Sequence, residues 1–518
     1  PSCDADHSFD SSLLPTSRGF GVDLQNTRFQ PAETGGLTAE NVHRLEVKWS
    51  FAYPNSIQAR SEPVYGGGGI YMGSQDGTVW ALDAQTGCLR WTFNATAEIR
   101  TGVSISQWSA DDSSVDPLIF FGDVIANVYA LSARTGELRW KVRVDDHRDA
   151  TMTGTPSIYA GRLYVPVSSM EVVAAGNADY ECCTFRGALL SLDAATGELH
   201  WKSYTIDKPS EPAGKTINGT TIFAPSGAPI WSSPTIDSKR SQVYVGTGEN
   251  YSSPADGNSD AIIAFDLETG EKKWVAQQTQ NDAWNTACFL GFPGIDNSNC
   301  PEEDGPDYDF GSHPILVTLP DGSDIVVGGQ KSGHAMGIDP DTGETLWRTA
   351  VGRGGIQGGV HFGIAAQSDS LYIPINDLNF FNDEQRYKWE TPAKPGVYSV
   401  NAGTGEIIWS APAPIDVCKG MPFCTPGISQ AITAIPGAVI AGHLDGRVRI
   451  YSREDGTVLW EKNLLGKYQT VSGEEATGGS FSGGGVLIAH GLMYVNAGYG
   501  YNLHIPGNAL VVLGLADE

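Results

Sequence analysis

The sequence predicts an all-β fold, an eight-bladed β-propeller with four antiparallel strands per blade. Three observations carry this reading. One phrase occurs seven times along the 518 residues, and four strands per repeat at about 40–50 residues is propeller-blade spacing, the longer intervals holding insertions. Each phrase has the pattern of strand, tight turn and strand. The two ends of the chain each hold half of an eighth copy.

Trp80–Trp91 is the first full copy, and it recurs as Tyr129–Trp140 and Leu190–Trp201. Later copies end in Asp266–Trp274, Asp339–Trp347, Asn401–Trp409 and Ser452–Trp460. Alternating apolar residues precede Asp-x-x-Thr-Gly, which marks a strand running into a turn. The Asp side chain caps the turn backbone, and the Gly supplies a positive φ. The Trp lies on the next strand. Upstream of most copies sits a second strand pair, such as 69–80, with a hairpin-type Asp-Gly. Trp49, in Leu45-Glu-Val-Lys-Trp49-Ser-Phe51, has the strand but no Thr-Gly phrase before it. Gly491–Asn496 and Ala509–Leu513 have strands but no closing Trp. Together the two termini make one shared blade, which closes the ring and leaves no free edge. The blade-closing tryptophans are then 49, 91, 140, 201, 274, 347, 409 and 460, in a single domain covering 1–518. Long intervals between the middle tryptophans are insertions that gather on one face as functional loops. Helix content is expected to be very low.

Composition narrows the function. Lys+Arg is 33 against Asp+Glu 60, a net charge of −27, which repels nucleic acid and anionic lipid. No apolar run approaches the roughly 20 residues that span a bilayer. The opening residues, Pro1 to His7, have neither a basic start nor an apolar segment, as expected of a mature product. Eight cysteines form no C-x-x-C, no C-x-x-C-H haem motif and no zinc spacing. Cys288/Cys300 and Cys418/Cys424 lie in Pro/Asn/Gly-rich stretches where a bridge would staple a loop. The expected compartment is therefore oxidising, periplasmic or secreted. Gly352–Gly359 is glycine-rich but follows no strand-to-helix pattern, so it is not a dinucleotide or phosphate loop. The ten histidines do not cluster; His313 and His361 are candidates for the mouth of a site. Periodicity alone does not separate an enzyme from a scaffold that only binds proteins.

The Ala-x-Asp-x-x-Thr-Gly-x-x-x-Trp phrase resembles the tryptophan-docking repeat of the quinoprotein alcohol dehydrogenases, which use pyrroloquinoline quinone (PQQ). Asn26-Thr-Arg-Phe-Gln30, Glu181-Cys-Cys-Thr-Phe-Arg-Gly187, Gly246-Thr-Gly-Glu-Asn-Tyr-Ser252 and Gly305-Pro-Asp-Tyr-Asp-Phe-Gly311 resemble the polyvinyl alcohol dehydrogenase branch. The resemblance implies PQQ and Ca²⁺ as cofactors. It puts calcium on Glu171 and on Glu249 or Asn250, since calcium wants several hard oxygens. Glu249 matches by position and Asn250 by residue type. Trp231 corresponds to the flat indole under the planar cofactor. Cys182 and Cys183 correspond to a disulfide between neighbours that closes the cofactor pocket, leaving Cys3 and Cys88 as the remaining possible pair. PQQ carries three carboxylates, so cations and hydroxyls must face it; Arg100, Thr153, Ser169 and Lys331 resemble those contacts. Where the family often has Glu before the first-blade Pro, this chain reads Gln58-Ala-Arg60-Ser-Glu62-Pro63.

Asp309 matches the family's base, with Asp307 as its rival two residues away. Lanthanide-using relatives carry an extra Asp two residues after the base; here that position is Gly311. The implied activity is oxidation of secondary alcohols by hydride transfer to PQQ. The alternatives are the same chemistry on another multi-ring or small secondary alcohol, or a non-catalytic propeller. Without a haem motif, electrons would leave to a separate acceptor such as a cytochrome c.

Overall fold

The computed structural model describes residues 2–4, 7–111, 114–289, 293–378, 389, 391–501 and 503–517. Eight sheets stand side by side around an axis. Blades 1 to 7 span residues 64–94, 104–143, 150–204, 235–277, 315–350, 365–412 and 433–463. Each runs from a short inner strand to a more exposed outer one, as in blade 1, where Val64–Gly66 is buried and Leu89–Asn94 is half-buried to exposed. In blade 3 the inner edge is split between Ala150–Thr151 and Ser157–Tyr159. Two extra hairpins, 211–224 and 466–478, stand outside the blades.

Blade 8 is the shared one. Leu45–Ala52 pairs antiparallel with Ala509–Leu515, which continues through Leu492–Ala497 to Leu487–Ala489 at the inner edge. Trp49 thereby takes the same outer-strand place as the other seven tryptophans.

The recurring phrase explains the ring. Asp83 accepts the backbone N–H groups of Gln85 and Thr86 and the Thr86 hydroxyl. Asp193, Asp266 and Asn401 do the same for their turns. The tryptophan then reaches across to the following blade. Trp140 lies on Gly197, where a Cβ would sit 2.7 Å from the indole, and its Nε1–H donates to the Ala194 carbonyl at 3.0 Å. Trp91, Trp201, Trp274, Trp347 and Trp409 donate in the same way to the blade after theirs. Glycine is required in these turns twice over, by its left-handed φ and by the ring lying on it. Blade 8 has no Thr-Gly turn, so Trp460 lacks this partner. Every adjacent pair of blades buries its own apolar cluster, including the pair that joins blade 8 to blade 1.

The N-terminal segment runs once around the inner strands, in blade order. It exchanges backbone hydrogen bonds with Gly67 of blade 1 and Ile105 of blade 2, packs Leu24 against Tyr159 of blade 3, and bonds Ile236, Leu316, Ala366, Ala434 and Gly491 of blades 4 to 8. At its centre Arg28 is fully buried. Its guanidinium donates to Phe20 O, Ile432 O and Thr433 Oγ1 and pairs with Glu62 at 3.1 Å. His313 is buried against the same segment, with Nε2 bonded to Asn26 O at 3.0 Å. Four disulfides are present: Cys3–Cys88, Cys182–Cys183, Cys288–Cys300 and Cys418–Cys424. No described helix is long and apolar enough to cross a membrane.

Two outcomes follow from this architecture. Gly270→Ala places a Cβ 2.5 Å from Trp201 at a φ of +72°. It should lose at least about 1–2 kcal/mol from the backbone alone, read as a lower urea midpoint; an unchanged midpoint would refute the docking role. Burial and the Arg28 charge push His313 down to about 3, against about 6.5 in an unfolded chain. Between those values the unfolded state binds the proton that the folded state refuses, so stability falls as pH drops through that window. His313→Gln should flatten the urea midpoint against pH there; identical slopes in the two proteins would contradict this.

Candidate functional site

The cavity lies near the axis, on the face where second strands end and inner strands begin. Second strands deliver Ser168–Ser169, Glu249, Lys331 and Tyr499 as they leave the sheet. Segments leading into inner strands deliver Arg100, Thr153, Trp231, Asp307, Asp309, His361 and Phe362. The cavity is thus lined from these loops and from strand ends such as Thr151 and Ser168–Ser169.

Trp231 is the floor. Its ring is flanked edge-on by His361 and Phe362 at centroid distances of 5.8 and 5.7 Å. Gly311 lies directly against it: a Cβ there would be 2.0 Å from the indole. Below Trp231 a small second cavity, lined by Phe20, Arg60, Thr155 and Gly484, separates it from the N-terminal segment.

One wall is acidic. Glu249, Asp307 and Asp309 are buried and bring carboxylate oxygens within 4.8 Å of one another. Lys331 Nζ lies 2.9 Å from Asp307 and 3.2 Å from Asp309. Asp309 also accepts Trp231 Nε1–H at 2.8 Å and the Glu249 backbone N–H at 3.0 Å. Burial works against its charge, but Lys331 and side-chain hydrogen bonds from Glu249, Asp307 and Trp231 hold Asp309 below the usual carboxylate range. Asp307 has the shorter contact to Lys331 yet lacks the two N–H donors. Burial and the neighbouring carboxylates push it, and Glu249, well above that range. Lys331 is held charged: burial opposes this, and the Asp307 and Asp309 carboxylates outweigh it. Burial and mutual repulsion thus favour the protonated forms of Glu249 and Asp307, while Lys331 favours the ionised form of Asp309. Asp282, fully buried, accepts the N–H groups of Asp307 and Tyr308 and so fixes the loop that carries the acids.

The other side is cationic and hydroxylic. Arg100, Thr151, Thr153, Ser168 and Ser169 line it, and burial with the Arg60 charge beside it lowers the Arg100 pKa. Arg60 is paired with Glu98 at 2.6 Å, and Glu62 is spent on Arg28. The outer rim is apolar: Met170, Val172, Val173, Phe289 and Ile356.

The fold thus brings together Arg100, Thr153, Ser169, Trp231, Glu249, Asp309 and Lys331. It does not bring four other expected residues to the cavity. The Glu171 carboxylate is fully buried and accepts Tyr180 OH at 2.9 Å, Thr184 N–H at 2.9 Å and Phe185 N–H at 2.8 Å. These donors tie the carboxylate to the residues flanking the Cys182–Cys183 pair. Cys182 and Cys183 are bonded to each other, but they lie in the core with Phe185, one layer behind Tyr251. Asn250 turns away: its amide donates to Ser226 O and its oxygen accepts Asp256 N–H. The third acidic oxygen comes instead from Asp307. His361 lines the cavity and His313 does not. Trp284 and Tyr251 also line it and were not anticipated. Trp284 carried a usable signal, since it falls outside the blade-closing positions just as Trp231 does.

Comparisons with known proteins agree with this geometry. The family profile of the glucose/ethanol/alcohol dehydrogenase β-propeller domain, a PQQ family, matches residues 18–288. That of the outer membrane protein assembly factor BamB matches residues 309–503. Polyvinylalcohol dehydrogenase of a Pseudomonas species is 42% identical, over 93% of this chain and 73% of its own length. Polyvinylalcohol dehydrogenase of Sphingopyxis sp. strain 113P3 is 35% identical, over 93% and 72%. The structure of the quinohemoprotein alcohol dehydrogenase ADHIIG from Pseudomonas putida HK5 superposes with a TM-score of 0.66 at 18% identity, covering 100% of this chain and 83% of that one; at that identity it speaks for the fold alone. With the profile spanning more than half the chain and two relatives above 30% identity along nearly all of it, this chain belongs to the PQQ-dependent quinoprotein alcohol dehydrogenase family of enzymes.

Proposed function

We propose that the chain oxidises secondary alcohol groups, in the manner of polyvinyl alcohol dehydrogenase, with PQQ and Ca²⁺ held in the axial cavity. The observation that carries this is the arrangement around Trp231: a flat indole between a cationic, hydroxyl-lined side and a wall of three buried carboxylates. The donor set fits both groups. Arg100, Thr153, Ser168 and Ser169 suit the carboxylates of PQQ, and Trp231 suits its plane. Glu249, Asp307 and Asp309 offer hard oxygens for a divalent cation, whose charge would favour the ionised form of all three. PQQ, when bound, supplies the hydride acceptor, and calcium supplies Lewis-acid charge.

The chain's own residues do the rest. Asp309 takes the proton of the alcohol hydroxyl on a carboxylate oxygen. Trp231 Nε1–H and the Glu249 N–H hold that carboxylate in place, and Lys331 keeps it ionised. The rim of Met170, Val172, Val173, Phe289 and Ile356 seats the hydrocarbon next to the hydroxyl and excludes water. Gly311 favours calcium over a lanthanide, because the Trp231 ring occupies the space that the extra Asp of lanthanide-using relatives would need. Four disulfides with no free cysteine suit a periplasmic or secreted enzyme. A separate acceptor such as a cytochrome c would take the electrons onward.

Apo-protein should oxidise alcohols with an artificial acceptor only when PQQ and calcium are both present. Calorimetry that detects no PQQ binding with calcium present would sink this reading. Asp309→Ala should still bind PQQ but lose about 10²–10⁴-fold in turnover, while Asp307→Ala keeps more of it; the reverse order would transfer the base to Asp307. Lys331→Met leaves buried acids without their counter-charge. Without calcium it should unfold about 3–5 kcal/mol more easily, with calcium restoring part of the loss. Urea unfolding with and without the ion tests this, and an undiminished stability without calcium would refute it.

A further inference from the structure

The glycine-rich stretch 352–359 forms a loop whose Ile356 and Gln357 line the cavity. Glycine alone fits much of it. Gly354 and Gly359 have φ of +86° and +59°, and a Cβ on them would lie 2.6 Å from Ser332 O and 2.3 Å from Lys331 O. The loop is thus seated against the backbone of the turn that carries Lys331. Gly352 N–H donates to Gly333 O at 2.9 Å, Gly355 N–H to Lys331 O at 3.3 Å and Val360 N–H to Gln330 O at 3.1 Å.

One side chain gathers this loop from behind. Asp377 is 3% exposed and has a left-handed φ of 50°. Its Oδ1 accepts Gly354 N–H at 3.0 Å and Gly359 N–H at 3.1 Å. Its Oδ2 accepts Arg353 N–H at 2.8 Å and Lys394 N–H at 2.9 Å. Next to it, Asn376 Nδ2 donates to Gln357 O. Four backbone N–H groups around one buried carboxylate make a clamp that an amide cannot replace, because the amide NH₂ would face donors. The Lys394 bond ties in the far end of the insertion that follows Asp377.

We propose that Asp377 is a positioning residue for the active site: it holds loop 352–359 as a cavity wall that sets alcohol selectivity and braces the Lys331 turn. It touches neither cofactor nor substrate and acts through Ile356, Gln357 and Lys331. The selectivity part rests on the functional reading above; the hold on the loop does not. A displacement of about 1 Å in such a support costs on the order of 10²-fold in rate.

The test is hydrogen exchange on the full chain without cofactor, followed by kinetics of the enzyme loaded with PQQ and calcium. In Asp377→Asn, peptides covering 351–360 and 330–334 should exchange at least about tenfold faster, with the outer strand Leu89–Asn94 unchanged. Unchanged exchange in the loop, or acceleration spread evenly over all blades, would overturn the proposal. In the loaded enzyme, Asp377→Asn and Ile356→Ala should both shift the ratio of kcat/KM between a bulky and a small secondary alcohol, and Asp377→Asn should lower kcat about 10–100-fold. Equal losses on both alcohols would refute the selectivity role. Should wild-type protein with PQQ and calcium oxidise no alcohol, the functional reading and the selectivity role fail together, and exchange decides the hold on the loop.

Discussion

The contact on which the rest depends is a tryptophan lying on the glycine of the next blade. It sets the spacing and tilt between neighbouring blades. Each Trp–Gly contact is weak alone, but the ring is closed, so each is braced by the others. The apolar clusters between blades lie directly inside this outer girdle, and the N-terminal segment binds the inner strands from the axis. Blades held from outside and inside leave little freedom for the loops at the top of each inner strand. Those loops carry the site, and a catalytic geometry needs rigid supports of this kind.

The site puts a concentrated electrostatic conflict in the cavity near the axis. Three carboxylates and one ammonium share a buried wall, where burial and mutual repulsion raise the pKa of Glu249 and Asp307 while Lys331 helps hold that of Asp309 down. Such a wall is poor for stability and well suited to a divalent cation, whose charge would offset that of the carboxylates. Asp309 is distinguished from its neighbours by two N–H donors, one from the segment entering the inner strand of blade 4 and one from the segment leaving its second strand. Trp231 is both the floor and one of these donors, so the orientation of the base and the plane on which the cofactor would lie are set by one side chain. Gly311 completes the arrangement by giving the indole its space.

Several buried carboxylates here bind backbone N–H groups and leave the chemistry to others. Asp282 fixes the loop bearing Asp307 and Asp309. Glu171 fixes the segment after the Cys182–Cys183 disulfide, and Phe185 of that segment stacks on Tyr251 at the cavity. A charge-assisted hydrogen bond to an amide is among the stronger polar interactions available in a dry interior, which makes such residues efficient anchors for irregular loops.

The ring was legible in the sequence because its determinants are local and repeated. Asp, Thr, Gly and Trp at fixed spacing encode a turn and a docking contact in every copy, and the half-copies at the two ends encode the shared blade. Trp231, Asp309, Lys331, Arg100 and Glu249 were legible only through the resemblance of their local segments to the family's motifs, and the fold brings all five to one cavity. Glu171 and the cysteine pair, which sit in a long insertion, do not reach it. Whether the Glu171 carboxylate reaches the axis depends on which N–H groups the insertion folds back to offer it, and Thr184 and Phe185 are thirteen and fourteen residues further on. The choice between Glu249 and Asn250 was likewise tertiary: adjacent residues at a strand end point to opposite sides, and the loop at Asp256 captures Asn250 on the side away from the cavity. The acidic wall, the Trp284 lining and the clamp at Asp377 all join residues from different blades or loops, and contacts of that range leave no local pattern in the chain.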